Sequence, residues 1–240
     1  MLNSLFLFRT VDFPIPSSLA AFPVCPSTKR NRMSWSLGEI GALSTKAARG
    51  CGMDWGLADE AGYAVKWLQR RQLPGIAALC RYLSWRQTGE ITAWPDVTGD
   101  QGHYCPIATG AAYGDGLFGD EVEFRRMRTP LLLIPFIALR AGITPIVISL
   151  ETVVFSLSQD GFAYSGNDTA ILTAASHCRI STKIDHMPPL TRISDTDLPR
   201  VPETAAACVT VLNSFAKNTY APATEASRLA GAGAGLSDND

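Results

Sequence analysis

His103 and Cys105 stand two residues apart in Gly-His-Tyr-Cys-Pro, and they are the residues of this chain whose types and spacing most directly suggest chemistry. A thiol attacks or ligates as its thiolate, and near neutral pH it needs a neighbouring base or cation to reach that form. The pair could therefore be a nucleophile with its base, or two metal ligands; the competing reading is a loop packed by Tyr104 and Pro106. A second candidate is Asp54-Trp55, at the expected start of a helix. There Trp55 and Trp67, with Asp59 and Glu60 nearby, could line a pocket, although tryptophan beside a helix start also packs between layers. A third is Glu225 with Arg228, one helical turn apart, which can pair or face a polar site. These six residues are the candidate pocket set: His103, Cys105, Asp54, Trp55, Glu225 and Arg228.

Other motifs are weaker. His177, Arg179 and Lys183 make a cationic stripe that could hold an anion, or could be a solvated outer face. The glycines from Gly110 to Gly119 would let a backbone approach a phosphate, but the strand, helix and lysine that make such loops recognisable are missing. Gly231 to Gly235 follows no strand, so a dinucleotide fingerprint is not expected. No cysteine pair has zinc-ligand spacing, and no cofactor or metal is assigned.

Positioning such residues falls to an ordinary globular composition of 240 residues, 46% hydrophobic and 18% charged. A net charge of -1 provides no clustered basic footprint, so a nucleic-acid partner is not expected. Pro135, Arg140, Thr144 and Pro145 interrupt the longest apolar run, so neither is a membrane span. The 6 cysteines are scattered, and Cys80, Cys178 and Cys208 fall on apolar faces, which points to free thiols in a reducing cytoplasm.

The segment 1–32 has no sustained period, carries several prolines and ends in Lys29, Arg30 and Arg32. Its apolar run, Leu5 to Phe8, precedes Arg9, the reverse of a signal peptide's order. It is expected to be an unstructured extension from an upstream start, with 33–240 forming a single domain. Ser36-Leu37-Gly38-Glu39 has the form of a capping box and opens a first helix with Leu37, Ile40, Leu43 and Ala47 on its apolar stripe, closed by Gly50 or Gly52. Asp54 caps a second helix, with Leu57, Ala61, Val65 and Leu68 on one face, up to Pro74-Gly75. Ile76, Leu79, Cys80 and Leu83 mark a third. A Gly-rich connector follows, with one short helical turn near Ile107 to Ala112.

The densest apolar stretch, Thr129 to Gly166, should supply the central strands. Leu131 to Leu139 is buried, of either type. Period-two alternation runs from Ile146 to Val153, and Val154 to Leu157 and Phe162 to Ser165 flank Asp160-Gly161 as a hairpin. His177 to Ile184 reads as a strand, with Cys178, Ile180, Thr182 and Ile184 inward and His177, Arg179, Ser181 and Lys183 outward. Prolines from Pro188 to Pro202 make an extended linker, Pro202 suits a first helical position, and Ala205, Cys208, Val211, Leu212 and Phe215 form the stripe of a last helix. The fold class is α+β: an N-terminal three-helix layer on a mostly antiparallel sheet, with a C-terminal helix and a Gly-rich tail.

From Met33 to the end, the chain resembles a family of uncharacterised bacterial proteins catalogued only as a domain of unknown function. The likeness rests on KAARG at residues 46–50, DWGLADEAG at 54–62 and the Ala-Gly-rich ending TYAPATEASRLAGAGAGLSDND; Cys51 stands where a small residue such as Ala is expected. The resemblance implies a family fold in bacterial cytoplasm and brings no activity with it. Two functions remain: a pocket between helical layer and sheet that binds or transforms a small molecule, which is favoured, or a non-catalytic protein partner or subunit.

Overall fold

The computed structural model describes residues 34–88, 104–159, 161–166, 174–183, 189–193, 200–201 and 205–220. The extension before Met33, most of the Gly-rich connector and the Gly-rich tail lie outside the described residues, as do His103, Glu225 and Arg228.

The first helix, α1 (Leu37–Gly50), starts as its sequence requires: Ser36 Oγ accepts the Glu39 N–H at 3.1 Å, and the Glu39 carboxylate accepts the Ser36 N–H at 2.6 Å. Ahead of it, β1 (Trp35–Ser36) pairs antiparallel with β8 (Arg200–Val201). Gly52, at φ +89, takes the left-handed conformation that releases the chain from α1. Asp54 is the N-cap of α2 (Trp55–Arg70), but by position only, because its side chain makes no capping hydrogen bond. Small residues bring α1 and α2 close: Gly41, Ser44, Ala47 and Ala48 on one, Ala58, Ala61, Gly62 and Ala64 on the other. A Cβ on Gly62 would run into Thr45 and the Gly41 carbonyl. α3 (Gly75–Gln87) buries Ile76, Leu79, Cys80 and Leu83 as its stripe demands, together with Tyr82.

The expected helical turn near Ile107 is a full helix, α4 (Pro106–Gly114), with Pro106 in the first turn, where a missing N–H costs nothing. The strand after it, β2 (Val122–Arg128), was not expected. It buries Phe124 and Met127, three residues apart, because Arg126 adopts φ +54 and breaks the period of two. The apolar run left open between types is helical, forming a 3-10 turn (Pro130–Leu133) and α5 (Ile134–Arg140), and everything from Pro130 to Ile137 is buried. Pro135 sits in the first turn of α5 and interrupts no hydrogen bond there.

Residues 146–153 are not a continuous strand: β3 (Ile146–Ser149) ends in a tight reversal, in which Leu150 N–H donates to Val153 O at 2.8 Å, and β4 (Val153–Ser158) returns beside it. The hairpin from β4 to β5 (Gly161–Gly166) holds as expected, with Ser158 opposite Gly161 and Gly161 at φ +142. β6 (Ala174–Ser181) lies between β2 and β3, and β7 (Thr191–Ile193) lies beyond β5. All pairings in the 6-stranded sheet, ordered β2-β6-β3-β4-β5-β7, are antiparallel.

Cys178 and Ile180 point into the core and His177 and Arg179 out, but the strand stops at Ser181 rather than at Ile184, which lies outside the described residues. Ser181 is buried, against expectation, because its hydroxyl closes a turn by accepting the Lys183 N–H at 3.0 Å. The last helix, α6 (Ala206–Ala216), begins after Pro202 and buries Cys208, Val209, Leu212 and Phe215 against α1 and α3. Helical layer and sheet meet through aromatic rings: Trp67 of α2 stands edge-on to Phe162 of β5 at 5.6 Å, and Phe155 of β4 stacks on the same ring.

Candidate functional site

Cys105 is the N-cap of α4, where Ser, Thr, Asp or Asn is the usual choice, and its sulfur accepts the Ala108 N–H at 3.5 Å. From α3, Tyr82 donates its O–H to the same sulfur at 2.9 Å. Tyr82 is fully enclosed and Cys105 is 2% exposed, so this hydrogen bond is made away from water. One helical turn beyond Tyr82, Arg86 is near enough for its charge to act on Cys51, Tyr82 and Cys105. Cys51 is the C-cap of α1; its thiol donates to Leu83 O at 3.6 Å, and the Arg86 charge acts on it. Three helix ends thus bring two thiols, a phenol and a guanidinium together.

The electrostatics are a contest between burial and donors. Burial pushes the Cys105 thiol up, while the Ala108 amide, the Tyr82 hydroxyl, the Ile107 amide and the Arg86 charge act in the other direction. Burial likewise holds the Tyr82 phenol well above its ordinary range, and the Cys105 sulfur adds to that. The Cys51 thiol is also pushed up by burial, with Arg86 opposing. At neutral pH these groups are neutral. A thiolate formed at Cys105 would nevertheless meet hydrogen-bond donors on several sides, the surroundings that hold a sulfur anion in place.

The remaining sequence candidates lie elsewhere in environment. Asp54 is exposed, and Trp55 is 70% exposed with the Arg49 guanidinium 4.3 Å over its ring. Trp67 packs between layers, as its competing reading held, with Arg71 stacked 3.7 Å from its ring centre. The cationic stripe is answered by carboxylates from β2 and the residue before it: His177 Nδ1 lies 2.8 Å from Glu123, and Lys183 Nζ lies 2.8 Å from Glu121. In the Gly-rich stretch, Gly110 is required for packing, since a Cβ there would enter the Phe136 ring.

Sequence reasoning singled out Cys105 but missed its partners. The available sign was the spacing of four between Tyr82 and Arg86, which places both on one side of α3. Among the described residues no three His, Cys, Asp or Glu side chains are grouped to hold a metal ion, and no helix is long and apolar enough to cross a membrane.

The molecule is thus an α+β domain whose helical half carries a buried thiol cluster. Residues 35–112 match the family described as Protein of unknown function (DUF3726), which bears out the resemblance over that segment. The matched segment runs from β1 through most of α4 and contains Cys51, Tyr82, Arg86 and Cys105. No curated protein and no solved structure matches the chain.

Proposed function

We propose that the helical half is a small-molecule site in which Cys105 is the reacting sulfur, Tyr82 and the first amides of α4 hold its thiolate, and Arg86 supplies the favourable field. The observation that carries this reading is the hydrogen bond from Tyr82 to Cys105 Sγ at 2.9 Å, made to a sulfur that already caps a helix. The family match supports it, because the matched segment contains the whole cluster and stops before the sheet. The substrate class that fits is a small electrophile or an anion able to share these donors. The location that fits is bacterial cytoplasm, since the cysteines among the described residues are free. A nucleic-acid role is disfavoured by the net charge of -1.

Because burial holds the Cys105 thiol up, reaction with a small electrophile is slow at neutral pH and accelerates as pH rises. The test is intact-mass and peptide mapping of native protein treated with iodoacetamide across a pH series, beside Cys105→Ser. The expected result is one adduct mapped to Cys105 and absent in the variant. An unmodified Cys105 at alkaline pH in folded protein would reduce the sulfur to a helix cap.

A second reading, a non-catalytic interaction partner, is favoured by Leu117, Leu139 and Ile143, which are 67%, 64% and 81% exposed. Light scattering distinguishes it: self-association lost in Leu139→Lys or Ile143→Lys supports an interface, and a monomer at every concentration removes self-association.

The proposed pocket set retains Cys105. Asp54 and Trp55 stay in it as surface candidates, and His103, Glu225 and Arg228 as residues whose alanine variants are to be compared in the same labelling assay.

A further inference from the structure

On the outer face of the sheet, four exposed side chains meet where β2 pairs with β6: Glu123 and Arg125 on one strand, His177 and Arg179 on the other. Arg125 stands opposite His177 and Glu123 opposite Arg179, so the acid and the imidazole lie diagonally across the pair. His177 Nδ1 is 2.8 Å from Glu123 Oε1. The Glu123 carboxyl is held below its ordinary range, first by that bond. An ionised carboxylate only accepts, so Nδ1 carries the proton and Nε2 keeps its lone pair. The backbone is fixed too: the ladder from β3 to β6 ends at Ser149 and Arg179, and beyond it the Glu151 carboxylate accepts the His177 N–H at 3.1 Å. With its side chain 58% exposed, the ring is oriented by its neighbours and open to solvent. Arg125 places its Nε 3.6 Å from the same Glu123 oxygen, and Arg179 follows His177 two residues along the same face of β6.

We propose that His177 is a phosphoryl-accepting imidazole, whose Nε2 takes the phosphoryl group of a small acyl phosphate. Glu123 fixes the tautomer and faces the positive charge that builds on the ring, while Arg125 and Arg179 hold the phosphoryl oxygens. The Nε2 lone pair forms the N–P bond as the P–O bond to the acyl oxygen breaks, and that electron pair leaves with the carboxylate product. No proton is lost in the step: the Nδ1 proton stays in its bond to Glu123, and the cationic ring is paired with that carboxylate.

The experiment treats the folded full-length chain with acetyl phosphate at about pH 8.5, above the ordinary imidazole range, and maps phosphopeptides under alkaline conditions that preserve phosphohistidine. The expected product is a phosphoryl group on His177, formed faster than on N-acetylhistidine in the same solution. In Glu123→Gln the rate should fall about three- to tenfold, the effect of one charge-assisted hydrogen bond at a partly exposed site. Diethyl pyrocarbonate, an uncharged electrophile for the same nitrogen, separates the roles: Glu123→Gln slows both reagents, whereas Arg179→Ala slows acetyl phosphate alone. His177 labelled no faster than N-acetylhistidine, or phosphoryl groups recovered only on other residues, overturns the proposal. So does an Arg179→Ala variant that reacts with acetyl phosphate as the wild type does. A melting curve for each variant checks that it folds, and the wild-type comparison with N-acetylhistidine decides alone where one does not.

Discussion

Gly50, the last residue of α1, faces the carbonyl of Phe215 in α6 so closely that a Cβ on Gly50 would occupy that carbonyl's space, and Asn218 Nδ2 donates to Gly50 O at 3.1 Å beside it. The approach lies within the packing of the last helix on the first. Gly50→Ala should therefore cost about 1–3 kcal/mol in urea unfolding, the usual range for forcing atoms into a filled interface. Gly56 is the control: it lies in α2 with nothing within 4 Å of a built Cβ, and Gly56→Ala should gain about 0.4–1 kcal/mol by restricting the unfolded chain. Equal effects at the two glycines would remove the close approach as the reason for Gly50.

The capping box at Ser36 and Glu39 makes a second prediction, with a pH signature. Ser36→Ala should lose about 1 kcal/mol of stability by freeing an amide of the first turn. The Glu39 carboxyl is held below its ordinary 4.5, first by the Ser36 backbone N–H and then by its hydroxyl. A lowered folded value means that the contribution is present above the unfolded value and is lost as pH falls through the folded one. Melting temperature should thus fall on acidification below about pH 4.5 more steeply in the wild type than in Glu39→Gln. Parallel curves for the two proteins would show that the carboxylate adds nothing to the cap.

Cys178, on the inner face of β6, has the opposite sign. Burial pushes its thiol up to about 12 from an ordinary 9.0, with the Glu151 charge adding to it. Folding then favours the protonated form, so the contribution is intact below pH 9 and is lost as pH rises toward 12; that gap corresponds to roughly 4 kcal/mol. Alkaline titration of stability should fall through this range, and Cys178→Ala, though less stable at pH 7 through its cavity, should show a flatter alkaline limb. A variant limb as steep as the wild type's assigns the alkaline loss to other groups.

Much of this architecture was legible because local signals agreed. Ser36 and Glu39 marked α1, the stripe ending in Val65 and Leu68 marked α2, and Gly161 marked the hairpin. The failures have physical causes. Four of the seven residues in β2 are charged and Arg126 interrupts its alternation, so Phe124 and Met127 did not stand out as one face. The run from Leu131 to Leu139 is nearly all buried, and an element without a polar face has no period to read. The reversal at Leu150 to Thr152 was hidden because apolar and polar residues go on alternating through it. At the candidate site, Cys105 was visible by type, but the Tyr82 hydroxyl and the Arg86 charge reach it only through the packing of α3 against the start of α4.

That packing yields the last prediction. Tyr82→Phe removes the O–H that Cys105 Sγ accepts and leaves the ring in place, so the loss of stability should be small, about 0.5–1.5 kcal/mol. Sulfur is a weak acceptor, which places the expected cost near the lower end. The larger effect falls on reactivity. Burial raises the Cys105 thiol and the Tyr82 hydroxyl is one of the groups opposing it, so without the hydroxyl the thiol should rise further. The pH profile for iodoacetamide labelling of Cys105 should then move to higher pH in Tyr82→Phe, with slower reaction at any given pH below the plateau. Global unfolding must be measured beside it, because a buried thiol can also be labelled when the whole domain opens. A profile that shifts while the unfolding rate stays constant assigns Tyr82 to the thiolate. If labelling instead rises in step with unfolding and its pH dependence does not move, Cys105 reacts only from the opened chain, and the hydrogen bond is structural.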